Sequence, residues 1–251
     1  MSNYVKLCNN LDSLNLTAIK ANLDNYLNLI NTNQVDIVEA LYQLTTFEIN
    51  LKRERARTAL VKVASFPYLK TFDDYDFEYQ PSLNKLAILD LKNLRFIDNK
   101  ENVLFVGSPG VGKTHLATSI GMEAALNGYS TYFINCHDLV IQLKKAFLEN
   151  RLEQRLKHFT SYSILIIDEV GYLPLDIEAS NLIFQLITKR YEKKATIITT
   201  NKSLNKWGEI FGDVVLANAI LDRLLHHSKI FIITGRSYRT KDVIFTEEKK
   251  Q

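Results

Sequence analysis

Residues 107–114, GSPGVGKT, have the spacing G-x-x-x-x-G-K-[ST] and lie between a short apolar run and a helical pattern. In such a loop, successive backbone N–H groups curl around a phosphate, and side chains at the glycines would block that approach. The helix that begins near Gly112 adds the positive end of its dipole. We therefore predict a nucleoside triphosphate site rather than a chance glycine turn. The residues predicted to surround the nucleotide are Gly107, Ser108, Pro109, Gly110, Val111, Gly112, Lys113, Thr114 and His115.

Two carboxylates close the apolar run ILIIDE at residues 164–169. Lys113 is expected to reach the β- and γ-phosphates, and the Thr114 hydroxyl and Asp168 are expected to hold Mg²⁺. Glu169 could act as a general base on the attacking water. An acidic pair at a strand end is common on protein surfaces, but the lysine loop 55 residues earlier favours the metal-site interpretation.

Two further polar residues could complete the chemistry. Asn201 follows the apolar run ATIITT and could orient the attacking water, since ligands sit at the carboxyl ends of parallel strands. Arg223 lies within AILDRLLHHS and could reach the γ-phosphate of a neighbouring subunit, although a helix-surface ion pair with Asp222 is an open alternative. His226 and His227 lack an evident third metal ligand in the sequence, so we interpret them as solvated or capping residues.

The elements that must position these residues are short apolar strands separated by helical stretches. Apolar runs without polar alternation indicate strands buried on both faces, and helices between them indicate a parallel sheet of α/β type. The five runs span residues 102–107, 131–135, 164–169, 195–200 and 229–235.

The first part of the chain has a different texture. Residues 11–65 contain neither glycine nor proline, and their apolar residues recur at helical spacing with a break at 31–34. We expect a small helical domain over 1–65 that binds DNA or a partner, a linker over 66–81 that packs along its path, the sheet domain over 82–245 and a frayed tail over 246–251.

Composition restricts the class of protein. The 46% hydrophobic content can fill a core, and 31 basic against 28 acidic residues give a net charge of only +3, so nucleic-acid binding must come from local patches. The two cysteines form no C-x-x-C pair, and neither a signal peptide nor a membrane-spanning run is evident. We expect a cytoplasmic protein without a membrane partner.

Several segments together resemble the IstB family, AAA+ ATPases that assist the transposition of bacterial insertion sequences and are related to DnaC-type helicase loaders. The resemblance covers nearly the whole chain and is densest over 65–241. The segments that carry it include NVLFVGSPGVGKTHLATSIG, LIIDEVGYLPLD, RYEKKATIITTNKSLNKWGEIFGD and LDRLLHHS.

The resemblance implies an AAA+ fold with a five-stranded parallel sheet and a set of roles. Lys113 and Thr114 correspond to the Walker A motif, Asp168 and Glu169 to Walker B, Asn201 to the first sensor and Arg223 to the arginine finger. Arg236 and Arg239 of GRSYR could read the state of the nucleotide instead of a lid-domain arginine. Little chain follows them, so we expect the helical lid to be reduced or absent.

The resemblance also implies ATP-dependent assembly of a homo-oligomer on double-stranded DNA and stimulation of a partner transposase. Two basic clusters are candidate DNA contacts, and solvated helix faces are the alternative for both. Their residues are Lys144, Lys145, Arg151, Arg155 and Lys157 on one helical stretch, and Arg53 and Arg57 in KRERAR.

Two other functions share the phosphate-binding loop. A helicase loader would bind a replicative helicase and prefer single-stranded DNA, whose bases stack on aromatic side chains. The basic segment has no clear aromatic platform, although Phe147 and Phe159 leave this function open. A small-metabolite kinase would need a second substrate pocket and a lid, for which the chain after GRSYR leaves little length.

Overall fold

A computed structural model describes residues 1–241. The expected domain end at 245 and the frayed tail over 246–251 lie outside the described residues. The chain divides into two compact units, Met1–Ala59 and a second unit that begins at Leu60. The expected division at residue 65 differs from this boundary by a few residues and remains a prediction.

The N-terminal unit is helical. Leu11, Leu23 and Leu44, one from each helix, form its small apolar core. The break expected at 31–34 separates the second helix from the third, which continues past the end of the unit. The helices are α1 Asn3–Ser13, α2 Thr17–Asn31 and α3 Ile37–Val63.

The side chain of Glu48, in α3, caps the N-terminus of α2. Leu16 precedes α2 and offers no capping side chain. The Glu48 carboxylate, only 4% exposed, accepts hydrogen bonds from the backbone N–H groups of Ala18 and Ile19 at 2.8 and 3.2 Å. These are two of the unpaired donors at a helix N-terminus, and a negative charge is favourable there.

The second unit is built on a five-stranded sheet in which every neighbouring pair is parallel, in the order β2-β3-β4-β1-β5. The sequence prediction of a parallel five-stranded α/β sheet is confirmed, and each strand lies within two residues of its expected bounds. The strands are β1 Asn102–Gly107, β2 Thr131–Asn135, β3 Ile164–Val170, β4 Ala195–Thr200 and β5 Ser228–Ile233.

Helices cover both faces of the sheet, because alternate side chains of each buried strand enter one apolar layer or the other. Leu104 of β1 joins the layer that contains α7, α9 and α11, whereas Phe105 joins the layer that contains α6. The helices are α4 Lys85–Asp90, α5 Arg95–Asp98, α6 Lys113–Leu126, α7 Cys136–Leu148, α8 Leu152–Ser161, α9 Ile177–Arg190, α10 Trp207–Phe211 and α11 Val214–Leu225.

The chain after β5 is short within the described part of the molecule. A 3-10 turn, Tyr238–Thr240, follows β5 there, and the expectation of a reduced or absent lid remains a prediction. None of the helices in this range is both long and apolar enough to cross a bilayer.

Candidate active site

The glycines of the loop between β1 and α6 are in close contact with neighbouring segments of the protein. A side chain at Gly107 would place its Cβ 2.3 Å from the carbonyl oxygen of Ile233, on the paired strand β5. Gly112, with a φ of +94°, would place a Cβ 2.5 Å from the ring of Tyr75. Glycine is therefore required at these two positions by strand pairing and by the packing of Tyr75, a reason that the sequence pattern alone does not reveal.

Lys113 begins α6, and its ammonium lies inside the loop. Nζ donates to the carbonyl oxygens of Gly107 and Ser108 at 2.7 and 2.8 Å. Burial lowers the pKa of Lys113, and no carboxylate of residues 1–241 forms a salt bridge with it. A buried cation bonded only to carbonyl oxygens is suited to an anionic ligand.

The structure brings Thr114 and Asp168 together as the sequence predicts for a metal site. The Thr114 hydroxyl donates to both carboxylate oxygens of Asp168, at 3.0 and 3.1 Å, and the Thr199 hydroxyl donates to Oδ1 at 2.6 Å. The carboxylate is nearly buried, and burial is the main cause that raises its pKa. Hydroxyl and carboxylate oxygens are donors that Mg²⁺ prefers, so these residues fit a magnesium ion.

A β-bulge explains how two consecutive carboxylates can both serve one site. The register between β3 and β4 shifts between Ile167 and Val170, so Asp168 and Glu169 occupy the irregular segment. Glu169 has a φ of +59°, unusual for a residue with a side chain, and its N–H donates to Thr199 Oγ1 at 3.0 Å. Strain of this kind is common at functional sites.

The Glu169 carboxylate is exposed and has a defined partner. Asn135, the last residue of β2, donates from Nδ2 to Glu169 Oε2 at 2.8 Å. Asn135 also caps α7, since its Oδ1 accepts from the His137 N–H at 2.9 Å. The orientation of Glu169 is thus linked to the first turn of α7.

Asn201 lies after β4, at the same edge of the sheet, and lines the same cavity as Glu169 and Lys113. Its side-chain oxygen Oδ1 is buried and has no hydrogen-bond partner among the described residues. An unpaired buried acceptor costs roughly 1–3 kcal/mol, which a donor on a bound water or ligand would recover.

The cavity has a volume of about 500 Å³ and is closed on one side by the segment 66–81. Tyr75 of this segment is buried and donates from its hydroxyl to the Val111 carbonyl oxygen at 3.0 Å. His115 lines the cavity with Nε2 at 2.9 Å from the Thr71 carbonyl oxygen, so Nε2 carries a proton there. The segment expected as a linker therefore forms a wall of the site.

Gln80 is a second cavity residue with an unpaired buried atom. Its side chain is 2% exposed, and Nε2 donates to the Arg236 carbonyl oxygen at 2.9 Å. Oε1 has no donor within residues 1–241 and lies beside Gly235, where an added Cβ would approach it to 2.0 Å. Gln80 thus lines the cavity and carries a buried acceptor without a donor.

The predicted arginines are divided between the cavity and other places. Arg239 lines the cavity, whereas Arg223 and Arg236 are not among the lining residues. Arg223 donates from Nη1 to the Ala219 carbonyl oxygen at 2.8 Å and lies 4.8 Å from the centre of the Phe184 ring. Asp222, the alternative partner weighed from sequence, forms no salt bridge with it in the described chain.

The candidate DNA contacts between residues 144 and 157 do not lie on one helix. The helical run is interrupted at residues 149–151, between α7 and α8. Two of them have local acidic partners: Lys144 pairs with Asp176, and Arg151 pairs with Glu149. Lys145, Lys157, Arg53 and Arg57 are exposed, and Arg155 is half-buried over Phe159. The idea of one continuous basic helix is therefore wrong, while the role of each residue remains a prediction.

Four residues of the site were not predicted from the sequence: Tyr75, Gln80, Asn135 and Thr199. A signal existed for Thr199, which stands two residues before Asn201 in the same strand-end TTN. The other three depend on where β2 and the segment 66–81 pass, which spacing along the chain does not specify.

Comparison with known proteins agrees with the fold and the loop. The structure resembles that of a DnaC helicase loader with a TM-score of 0.52 and 30% identity, over 59% of this chain and 86% of that one. It also resembles AMPPCP-bound DnaA from Aquifex aeolicus with a TM-score of 0.56, over 74% of this chain and 56% of that one; at 19% identity this similarity concerns the fold alone. The fold is that of an AAA+ P-loop nucleoside triphosphatase, as predicted.

Comparison of the sequence identifies one family within this fold. The profile of the IstB-like ATP binding proteins matches residues 9–244, and the chain belongs to this family. An ATP-binding protein of insertion sequence IS232 from Bacillus thuringiensis subsp. berliner is 51% identical over 96% of both chains. An ATP-binding protein of insertion sequence IS21 from Pseudomonas aeruginosa is 40% identical over 92% of this chain and 88% of its own. The predicted family and the ATP-binding P-loop class are confirmed.

Proposed function

We propose that this protein is an ATPase that assembles on duplex DNA and assists the transposase of an insertion sequence. The observation that carries the proposal is the convergence of Lys113, Thr114 and Glu169 at one cavity, with Asp168 bonded to the Thr114 hydroxyl. The relatives named above, ATP-binding proteins of insertion sequences, support the link to transposition.

The first step is nucleotide binding. The Lys113 ammonium and the backbone of the loop 107–112 bind the phosphates, and the Thr114 hydroxyl and Asp168 hold Mg²⁺. Mg²⁺ supplies charge neutralisation at the phosphate oxygens when it is bound. Binding gives the buried Lys113 cation an anionic partner.

Gln80 is a candidate for recognition of the base. Its unpaired Oε1 is an acceptor, and the exocyclic amino group of adenine is a donor; guanine presents a carbonyl oxygen at the equivalent position. With guanine, two acceptors would face each other, and both would lose their hydrogen bonds to water without gaining a new one. This free-energy cost favours adenine over guanine.

The hydrolytic step uses two other residues at the edge of the sheet. Glu169 accepts a proton from the attacking water, and the strained backbone of the bulge together with Asn135 positions its carboxylate. The buried Oδ1 of Asn201 accepts a hydrogen bond from the same water and orients it. These roles divide proton acceptance from water positioning.

Arg223 acts on the cavity of a neighbouring subunit. It lies outside the cavity of its own chain, two residues before the end of α11, and its side chain is only half-buried. A guanidinium supplied in trans stabilises the charge on the transferred phosphoryl group. ATP hydrolysis then requires a homo-oligomer.

Duplex DNA is held by the phosphate backbone. Lys145, Lys157, Arg53 and Arg57 are exposed cations, and Arg155 is a further candidate on α8. Contacts of this type give affinity that depends strongly on salt and only weakly on sequence. This suits a protein that captures many target sites.

The test is a titration of duplex DNA over a salt series with ATP and with ADP. We expect tighter binding with ATP, and a salt slope that falls by about 1 for Lys145→Ala or Lys157→Ala. Lys85→Ala, an exposed lysine outside the proposed contacts, is the matched control. Equal affinity with both nucleotides would contradict ATP-gated assembly.

A helicase loader is the second candidate, because the DnaC helicase loader is 30% identical over 59% of the chain. The same titration with single-stranded DNA separates the two functions. A loader prefers the single strand and binds a replicative helicase, whereas the proposed function requires preference for the duplex. Stimulation of ATP hydrolysis by each DNA form gives an independent readout.

A further inference from the structure

A cluster of three potential metal ligands lies at the C-terminal end of α11, and none of the three lines the nucleotide cavity. His226 and His227 follow this helix, and Glu192 belongs to the turn between α9 and β4. One ligand atom from each of the three lies within 4.8 Å of the others. The third ligand that the sequence pattern lacked is thus supplied by a residue 34 positions earlier.

The measured separations are near those of a bound cation. Glu192 Oε1 lies 3.5 Å from His226 Nδ1 and 3.8 Å from His227 Nε2. Tetrahedral Zn²⁺ with bonds of about 2.0 Å to nitrogen and oxygen holds its ligands roughly 3.3 Å apart. The two distances to Glu192 exceed this value by about 0.2 and 0.5 Å, and all three side chains are about half exposed, so a cation can reach them.

The Glu192 side of the cluster is held by a fixed turn. The N–H groups of Lys193 and Lys194 donate to the Arg190 carbonyl oxygen at 2.9 and 3.0 Å, and Glu192 has a φ of +56°. Arg190 itself is buried and bonded to the protein interior. Ordering Glu192 for a ligand therefore requires little further loss of backbone freedom.

The histidine side is held by Asn102, a buried residue at the start of β1. Its N–H donates to the His227 carbonyl oxygen at 2.8 Å, and its Nδ2 donates to the Leu224 carbonyl oxygen at 3.0 Å. Its Oδ1 accepts from the Thr196 N–H on β4 at 2.9 Å. One side chain thus ties the end of α11 to the sheet.

Tyr191 adds a contact outside the three ligands. Its hydroxyl lies 2.7 Å from His226 Nδ1, which orients the imidazole toward Glu192. Because this contact is to Nδ1, the ring nitrogen that faces Glu192, a cation bound at Nδ1 replaces the hydrogen bond with Tyr191. The phenol oxygen is also within reach of a cation that takes Nδ1.

We propose that Glu192, His226 and His227 bind a divalent transition-metal cation such as Zn²⁺, with water completing the coordination. Two imidazoles and one carboxylate suit Zn²⁺, Co²⁺ and Ni²⁺ and do not suit Mg²⁺, which prefers oxygen ligands alone. The cation joins the turn after α9 to the end of α11, the helix that carries Arg223. The site does not depend on the proposed ATPase function.

The test is Zn²⁺ binding to the full, tag-free chain, measured by competition with a chromogenic chelator. We expect one equivalent of Zn²⁺, and about a tenfold or greater loss of affinity in each of His226→Ala, His227→Ala and Glu192→Gln. His137→Ala removes an exposed histidine elsewhere and is the matched control, expected to bind as the wild type does. Zn²⁺ should also raise the unfolding temperature of the wild type and not that of His226→Ala.

Co²⁺ absorption identifies the ligands. We expect visible bands without a thiolate charge-transfer band, because burial raises the pKa of the Cys136 thiol to about 12 and neither cysteine is in the cluster. The proposal is overturned if the three variants bind Zn²⁺ as tightly as the wild type, or if a thiolate band appears. Far-ultraviolet circular dichroism shows whether each variant is folded. We expect all three variants to fold, because the substituted side chains are about half exposed.

Discussion

In the proposed mechanism Asp168 favours the binding of MgATP, but its buried charge destabilises the protein without a ligand. Its carboxylate is 5% exposed, and burial raises its pKa above the usual range despite hydrogen bonds from Thr199 and Thr114. An acid whose pKa is raised by folding contributes most to stability when protonated, at pH below its unfolded pKa. That contribution is lost as the pH rises through the folded pKa, so the ionised group is destabilising at neutral pH.

We therefore expect Asp168→Asn to raise the unfolding temperature of the nucleotide-free protein at pH 7 by about 2–4 °C, the change that roughly 1 kcal/mol produces in a protein of this size. The gain should shrink as the pH falls through the pKa of Asp168. Thermal unfolding with and without MgATP measures both effects, because the variant should also lose the stabilisation by MgATP. Glu169→Gln, at an exposed carboxylate, should give no such gain, and a lower unfolding temperature for Asp168→Asn would contradict the argument.

The proposed contact of Gln80 with the adenine amino group can be tested with two nucleotides. Gln80→Ala should weaken ATP binding about tenfold, the value of one hydrogen bond to a buried acceptor. It should change the binding of purine riboside triphosphate, which lacks the exocyclic amino group, much less. Calorimetric affinities for both nucleotides give a cycle that isolates this one contact.

Ser82→Ala is the control for Gln80, because Ser82 also bonds the chain after β5 but does not line the cavity. It should affect both nucleotides slightly and equally. An equal loss for ATP and purine riboside triphosphate in Gln80→Ala would mean that Gln80 only supports the Arg236 backbone.

At the scale of elements, the strands were predictable and the bulge was not. Parallel strands buried on both faces need continuous apolar runs, and such runs are visible in sequence. The bulge that presents Asp168 and Glu169, and the positive φ of Glu169, arise from the pairing of β3 with β4. Likewise, the aromatic residues of 66–81 suggested packing, but that Tyr75 packs on the loop at Gly112 depends on the tertiary path.

Arg190, the last residue of α9, joins several elements and was also missed. It is 1% exposed and donates to the carbonyl oxygens of Phe159, Tyr162 and Ala195 and to the Thr196 hydroxyl. Its planar guanidinium thus satisfies acceptors at the end of α8 and the start of β4. An ammonium group lacks this fork of donors.

Arg190→Lys should consequently destabilise the second unit by about 3 kcal/mol, since a buried acceptor left unpaired costs roughly 1–3 kcal/mol. Chemical denaturation followed by the fluorescence of Trp207, which packs in the same apolar layer as α9, measures the change. Lys189→Ala, at the neighbouring lysine, removes a largely solvated ion pair with Glu153 and should change stability by at most about 1 kcal/mol. A similar small change in Arg190→Lys would show that the four acceptors are satisfied in another way.

At the scale of the whole molecule, the division of the site residues suggests that one chain is incomplete. Lys113, Asp168, Glu169 and Asn201 meet at one edge of the sheet, whereas Arg223 lies outside the cavity at that edge. An arginine that stabilises the transition state must reach the phosphate. In the proposed mechanism, only a second copy of the chain can bring it there.

We therefore expect two inactive variants to complement each other. Lys113→Ala removes the phosphate-binding cation and Arg223→Ala the residue supplied in trans, and each variant alone should hydrolyse ATP poorly. In a 1:1 mixture on duplex DNA, about a quarter of the interfaces combine an intact cavity with an intact Arg223, so about a quarter of the wild-type rate should return. A mixture of Lys113→Ala and Glu169→Gln is the control, because both changes affect the same cavity and every cavity retains one of them. Equal rates in the two mixtures would place Arg223 in its own subunit's reaction or outside catalysis altogether.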